Sequence, residues 1–131
     1  MKYLVDTNIF LEILLEQDRH EKAEDFLLKV NAEEIAITDL SLFSMGIILF
    51  KRNKHDVYLE FVDDVLRNGT NLISLSIDKI PDTINIAKKY NLDFDDAYQY
   101  AVAEEFDLVI VSFDKDFDRT SRKRKEPGEL I

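Results

Sequence analysis

The sequence predicts an α/β protein, a three-layer α/β/α sandwich with a short parallel central sheet. Three observations carry that expectation: brief, almost wholly apolar β-rich runs; longer segments with helical periodicity between them; and little glycine or proline to interrupt either. Strands that short and that apolar are buried on both faces, which in a sheet fed by intervening helices means parallel pairing.

Each element can be justified in turn. Lys2 to Val5 is the first strand, and Asn8 to Leu15 changes to a helical composition, with Asp6-Thr7-Asn8 at the junction. Ala23, Phe26, Leu27 and Val30 fall at i, i+3, i+4, i+7, an apolar stripe along one helix face. Ile35 to Thr38 is short and β-branched, and Asp39 or Ser41 is placed to cap a helix running through Ile47-Ile48-Leu49. Tyr58, Phe61, Val62 and Val65 repeat the helical spacing. Asn71 to Leu75 reads as a strand. Ile80, Ile84 and Ala87 mark a helix that should stop near Tyr90-Asn91. Asp95 or Asp96 opens the next helix, with Ala97, Tyr98, Ala101 and Val102, and Asp107 to Val111 is the last strand.

The bulk numbers narrow the function. The chain has 131 residues, 46% of them hydrophobic, which suits a single domain over 1–131 with a short basic tail from about residue 119. Without cysteine there is neither a disulfide framework nor thiolate ligation, so a metal would be held by oxygen or histidine; the composition fits a reducing cytoplasm. No targeting segment or membrane span is expected, because Asp6, Asn8 and Glu12 interrupt the apolar N-terminal run. A net charge of -10 argues against gripping nucleic acid through a general basic surface. Two basic clusters remain, Lys51 to Lys54 and Arg119 to Lys125, and both read as solvated. His20 and His55 read as surface residues without a partner at metal-ligand spacing.

In a parallel sheet, binding groups collect beyond the carboxyl ends of the strands. Asp6 ends the first strand, Asp114 follows the last, and Asp96 lies in the first turn of its helix. Alone, each has an ordinary explanation as a helix cap, a dipole partner or a turn residue. Together they would repel one another unless a proton or a cation compensates them, and Mg²⁺ or Mn²⁺ suits a site made of carboxylates and water.

Tyr3-Leu4-Val5-Asp6-Thr7-Asn8-Ile9-Phe10 resembles the opening signature of the PIN-domain family. Asp93-Phe94-Asp95-Asp96-Ala97-Tyr98-Gln99-Tyr100-Ala101 is similar to its third acidic motif, and Val109 to Phe117 to its fourth. The resemblance implies a PIN-like fold and a Mg²⁺- or Mn²⁺-dependent endoribonuclease that hydrolyses RNA phosphodiester bonds, of the kind found as the toxin of a toxin–antitoxin pair. It further implies a homodimer and a small antitoxin partner. Carried over by position, Asp6, Asp96 and Asp114 would be catalytic and metal-binding, Asp116 an additional metal-binding acid, and Asn8 and Ser112 would orient water or carboxylates.

The pattern departs at one place. The family's second acid, a glutamate, aligns with Ser44, which offers a neutral oxygen and no charge. Asp39 and Glu12 are the nearest acids, but Asp39 suits a helix cap and Glu12 a position facing solvent or a partner. The alternative function is therefore a catalytically weakened PIN-like module that binds RNA or protein. A receiver-like signalling domain ranks lower, because it needs an acidic pair after the first strand and a phospho-acceptor aspartate after the third, where Ser74-Leu75-Ser76 stands.

Overall fold

The computed structural model describes residues 1–131. Its centre is a four-stranded parallel sheet of β1 (Tyr3–Val5), β2 (Ile35–Thr38), β3 (Asn71–Ile73) and β4 (Val109–Val111), in the order β3-β2-β1-β4. The two central strands, β1 and β2, are buried at every position. This is the pattern of a sheet covered on both sides.

Successive side chains leave a strand on opposite faces, and the core divides accordingly. Tyr3, Val5, Ile35, Ile37 and Val111 join one apolar cluster with Ile9, Phe10, Phe26, Met45 and Val65. Those residues come from α1 (Thr7–Leu14), α2 (His20–Lys29), α3 (Asp39–Lys51) and α4 (His55–Asn68). Leu4, Ala36 and Ile110 join the other cluster with Tyr98, Tyr100 and Val102 of α6 (Phe94–Phe106), and α5 (Ile80–Tyr90) packs outside it. The expected α/β/α sandwich is therefore the observed one.

Local chemistry sets the helix ends. Gly69 ends α4 with φ +82°, and Asn91 and Asp107 end α5 and α6 in the same left-handed region. Gly46 permits a close approach: a Cβ there would lie 3.0 Å from the Tyr58 ring, whose hydroxyl donates to the Leu42 carbonyl.

Several expectations are corrected. The cap of α3 is neither Asp39 nor Ser41 but Thr38, whose hydroxyl accepts from the Ser41 N–H at 3.0 Å. Strand β3 stops at Ile73 instead of Leu75, since the Leu75 N–H donates to the Tyr98 hydroxyl and leaves the ladder. Helix α6 begins at Phe94, one residue before Asp95, and Asp93 precedes it without a side-chain cap bond. His20 does have a partner at i+4, with Nδ1 3.4 Å from a Glu24 oxygen.

The basic tail is not loose either. The Lys125 N–H donates to Ile110 O and the Ser112 N–H to Lys125 O, so this segment lies along the open edge of β4. An unpaired strand edge offers donors and acceptors that another segment can satisfy, and here the chain's own continuation does so.

Candidate metal centre

Asp6 is where β1 hands the chain to α1. Its main-chain N–H still donates to Val111 O, and its carboxylate caps the helix by accepting from Thr7 N at 2.9 Å. The same oxygen, Oδ1, accepts from Gln99 Nε2 at 3.2 Å. The other, Oδ2, accepts from Ser112 Oγ at 2.7 Å and Asn8 Nδ2 at 3.4 Å. Burial pushes the Asp6 carboxyl above the usual carboxylate range, an effect opposed by the Ser112, Gln99 and Thr7 donors and reinforced by the charge of Asp114.

Asn8 and Ser112 link the two ends of the site. Asn8 Nδ2 also donates to Ser112 Oγ, and Asn8 Oδ1 accepts from the Phe113 N–H. Ser112 Oγ accepts from the Asp114 N–H at 2.9 Å, which fixes the turn that presents Asp114. Asp114 in turn accepts from the Asp116 N–H and caps the short 3₁₀ turn Lys115–Arg119. That turn brings Asp116 near Asp96, which lies in the first turn of α6.

Carboxylate oxygens of Asp96, Asp114 and Asp116 lie within 4.8 Å of one another. Burial, followed by the charges of Asp114 and Asp6, pushes the Asp96 carboxyl up to about 7. Asp116, on the outer side, pairs with Arg119 at 3.3 Å. The donor set is all oxygen, has no cysteine, and is crowded enough to raise a proton affinity. It fits a hard divalent cation such as Mg²⁺ or Mn²⁺.

A crevice of about 230 Å³ is lined by Asp6, Asn8, Ser44, Asp96, Gln99 and Asp114 among others, and Asp116 lies beside it, within reach of Asp96 and Asp114. All the acids expected from the sequence therefore reach one place, though at two depths. Asp6 sits on the floor with its donors, while Asp96, Asp114 and Asp116 form the rim. Ser44 also lines the crevice.

Neither alternative acid fills the gap at Ser44. The Asp39 carboxylate accepts from Leu40 N and from the Tyr98 hydroxyl at 2.7 Å. Glu12, expected to face solvent or a partner, is buried within the chain, accepting from the Arg19 N–H at 2.9 Å and lying 3.6 Å from its guanidinium. Arg19 stacks on Phe113, 4.1 Å from the ring centre, so Glu12 helps hold the β4 loop in place.

Sequence reasoning missed Gln99. It is buried, donates to Asp6 and to Ser41 Oγ at 2.9 Å, and accepts from Thr38 Oγ1 at 2.7 Å. A signal was present: Gln99 is the lone amide in the run Ala97 to Ala103, a stretch buried throughout, and a buried polar group needs partners.

The PIN domain family model matches residues 3–123. No curated protein matches the chain in sequence. Among solved structures, the chain is similar to one described as a toxin–antitoxin complex from Klebsiella pneumoniae, with TM-score 0.76 and 21% identity, covering 96% of this chain and 98% of that one. It is also similar to PAE2754 from Pyrobaculum aerophilum, with TM-score 0.74, 20% identity and coverage of 99% and 92%. A third similar structure is VapC20 of Mycobacterium tuberculosis, a sarcin-ricin loop cleaving toxin, with TM-score 0.77, 18% identity and coverage of 89% and 93%. At these identities the structural likenesses speak to fold.

Proposed function

Because the chain belongs to the PIN-domain family, we propose that it is a divalent-metal-dependent endoribonuclease and the toxin of a toxin–antitoxin pair. The observation that carries the reading is the meeting of Asp96, Asp114 and Asp116 above the buried Asp6 at the carboxyl end of the sheet. Asp96, Asp114 and Asp116, with Asp6 beneath them, would hold Mg²⁺ or Mn²⁺. Such a cation supplies Lewis-acid stabilisation to the charge developing on a phosphodiester and favours the ionisation of water.

The protein's own residues supply position. Ser112, Asn8 and Gln99 keep Asp6 in one orientation, and Ser112 also fixes Asp114. Asp96, with its raised proton affinity, is the group whose protonation competes with cation binding. No protein nucleophile is required, because water can be the attacking group.

A protein partner agrees with the surface of α3. Phe43, Ile47 and Phe50 are 62%, 60% and 52% exposed, and they share a helix with Ser44 at the crevice. Apolar groups gathered on one helix face suit an interface, either in a homodimer or with a small antitoxin. An arginine from that antitoxin would meet the rim carboxylates by bidentate contacts. No helix is long and apolar enough to cross a membrane.

Ser44 favours a second reading, a PIN-like module that binds RNA or protein with weakened catalysis. Calorimetric titration with Mn²⁺ separates the two before any substrate is known. The nuclease reading expects wild-type binding that is lost in Asp96→Asn, together with Mn²⁺-dependent cleavage of single-stranded RNA. Absence of Mn²⁺ binding at millimolar concentration would put the binding module ahead.

A further inference from the structure

We infer that the segment Arg119 to Lys125 is an RNA-binding ridge that takes the phosphodiester backbone along the β4 edge, on one side of the crevice; this rests on the ribonuclease reading above. The inference begins from charge. A protein with net charge -10 and an acidic crevice repels a polyanion, so any RNA it holds must be met by local cations. Arg119, Arg122, Lys123, Arg124 and Lys125 fall within one short segment that contains no acid.

The structure makes that segment a fixed surface. The Thr120 hydroxyl donates to Phe117 O and accepts from the Lys123 N–H, and Lys125 is bonded to both Ile110 and Ser112 along β4. Arg124 is spent on this anchoring: it contacts both Asp118 oxygens at 3.2 Å and donates to Ser112 O. Lys123 and Lys125 remain exposed.

Between the segment and β4 runs a groove of about 300 Å³ lined by Leu108 to Ile110 and Arg122 to Lys125. The three arginines are paired with Asp116, Asp107, Asp118 and Glu126, so the positive field over the apolar wall comes from Lys123 and Lys125. Arg122 gives Nη2 to Asp107 and to Leu108 O, so its charge is partly spent on holding the segment to the start of β4.

Position ties the ridge to the crevice. The segment starts at Arg119, which pairs with Asp116 of the rim, and ends at Lys125, bonded to Ser112, whose hydroxyl holds Asp6. A strand with one phosphate over the acids thus has cations beside it as it leaves their field. The regular charge of RNA suits such a row, whereas an acidic peptide would need carboxylates placed to match it.

The test is binding of a labelled single-stranded RNA of mixed sequence, followed by fluorescence anisotropy in EDTA across a salt series, so that neither cleavage nor metal enters. Lys123→Gln/Lys125→Gln is compared with Lys51→Gln/Lys54→Gln, which removes equal charge from the other basic cluster. Each phosphate contact contributes about 0.7 to the salt slope for single strands, so the ridge pair should lower the slope by about 1.4 and the control should leave it unchanged.

Equal effects of the two pairs, no RNA binding by the wild type at low salt, or tighter binding of polyglutamate than of RNA would each overturn the inference. Mn²⁺ calorimetry on the same proteins keeps the two readings apart. The ridge variant should bind Mn²⁺ like the wild type. RNA binding that depends on the ridge in a wild type unable to bind Mn²⁺ would sink the nuclease reading and leave the ridge standing.

Discussion

The floor and the rim of the crevice are both built from aspartate, yet they solve opposite problems. On the floor, Asp6 is surrounded by donors from Thr7, Asn8, Gln99 and Ser112, so its orientation is fixed by hydrogen bonds already in place. On the rim, Asp96, Asp114 and Asp116 turn oxygens toward one another, and Arg119 reaches only the outermost. The floor is organised for position and stability; the crowded oxygens of the rim suit a charge from outside. A donor removed from the floor should therefore cost folding energy, whereas an acid removed from the rim should cost binding and little else.

The largest effect expected is on the rim. Asp96→Asn should abolish detectable Mn²⁺ binding in calorimetry and reduce RNA cleavage by at least about 100-fold, while urea unfolding without metal shows equal or greater stability. The last expectation follows because the substitution removes like-charge repulsion. Normal cleavage by this variant would remove Asp96 from its assigned role.

Gln99→Leu makes the complementary test. It strips a donor from Asp6 and leaves Thr38 and Ser41 short of partners, so urea unfolding should show a loss of about 1–3 kcal/mol. A Mn²⁺ affinity that collapses with no loss of stability would place Gln99 on the rim's side of the comparison.

A smaller change is expected from Ser44→Glu, which adds a carboxylate to the crevice at the position of the absent acid. Mn²⁺ should bind several-fold more tightly and the metal-free protein should be somewhat less stable. Unchanged affinity would mean that a side chain at this position does not reach the cation.

The pH dependence of the metal-free protein should be the mildest effect. Asp96 is raised to about 7 by burial and neighbouring carboxylates, and Asp6 is raised by burial. The folded state therefore holds protons that the unfolded state has released above about pH 4, and stability must fall as pH rises from there toward 7. Thermal melts should show a decline of a few degrees between pH 5 and 8, largely reversed by Mn²⁺ and reduced in Asp96→Asn. A melting temperature that rises over the same interval would contradict the crowding of the rim.

Much of this comparison was legible before folding was considered. The short apolar runs at Lys2 to Val5, Ile35 to Thr38 and Asp107 to Val111 announced a buried parallel sheet, and a buried sheet puts Asp6 and Asp114 at its carboxyl end. The helix start expected at Asp95 or Asp96, one or two residues later than the observed start at Phe94, put Asp96 in a first turn at the same end. Those inferences rest on period and composition, which the local chain carries by itself.

Other features depended on partners distant in sequence. Asp39, Ser41 and Thr38 are all sound caps for α3; Thr38 serves, while Asp39 takes the Tyr98 hydroxyl and Ser41 receives Thr7 and Gln99. Glu12 looks like a solvent-facing helix acid until Arg19 folds over it. Arg119 to Lys125 looks like a solvated tail until the edge of β4 accepts it.

The sequence by itself determined the layers and put Asp6, Asp96 and Asp114 at strand and helix ends, because hydrophobic periodicity and turn chemistry act over a few residues. Only the tertiary structure decided which acid lies on the floor and which on the rim, and that Gln99 supports the former. Burial and charge crowding are properties of where a side chain finishes, and Asp6, Gln99 and Ser112 become neighbours only once the sheet has closed around them.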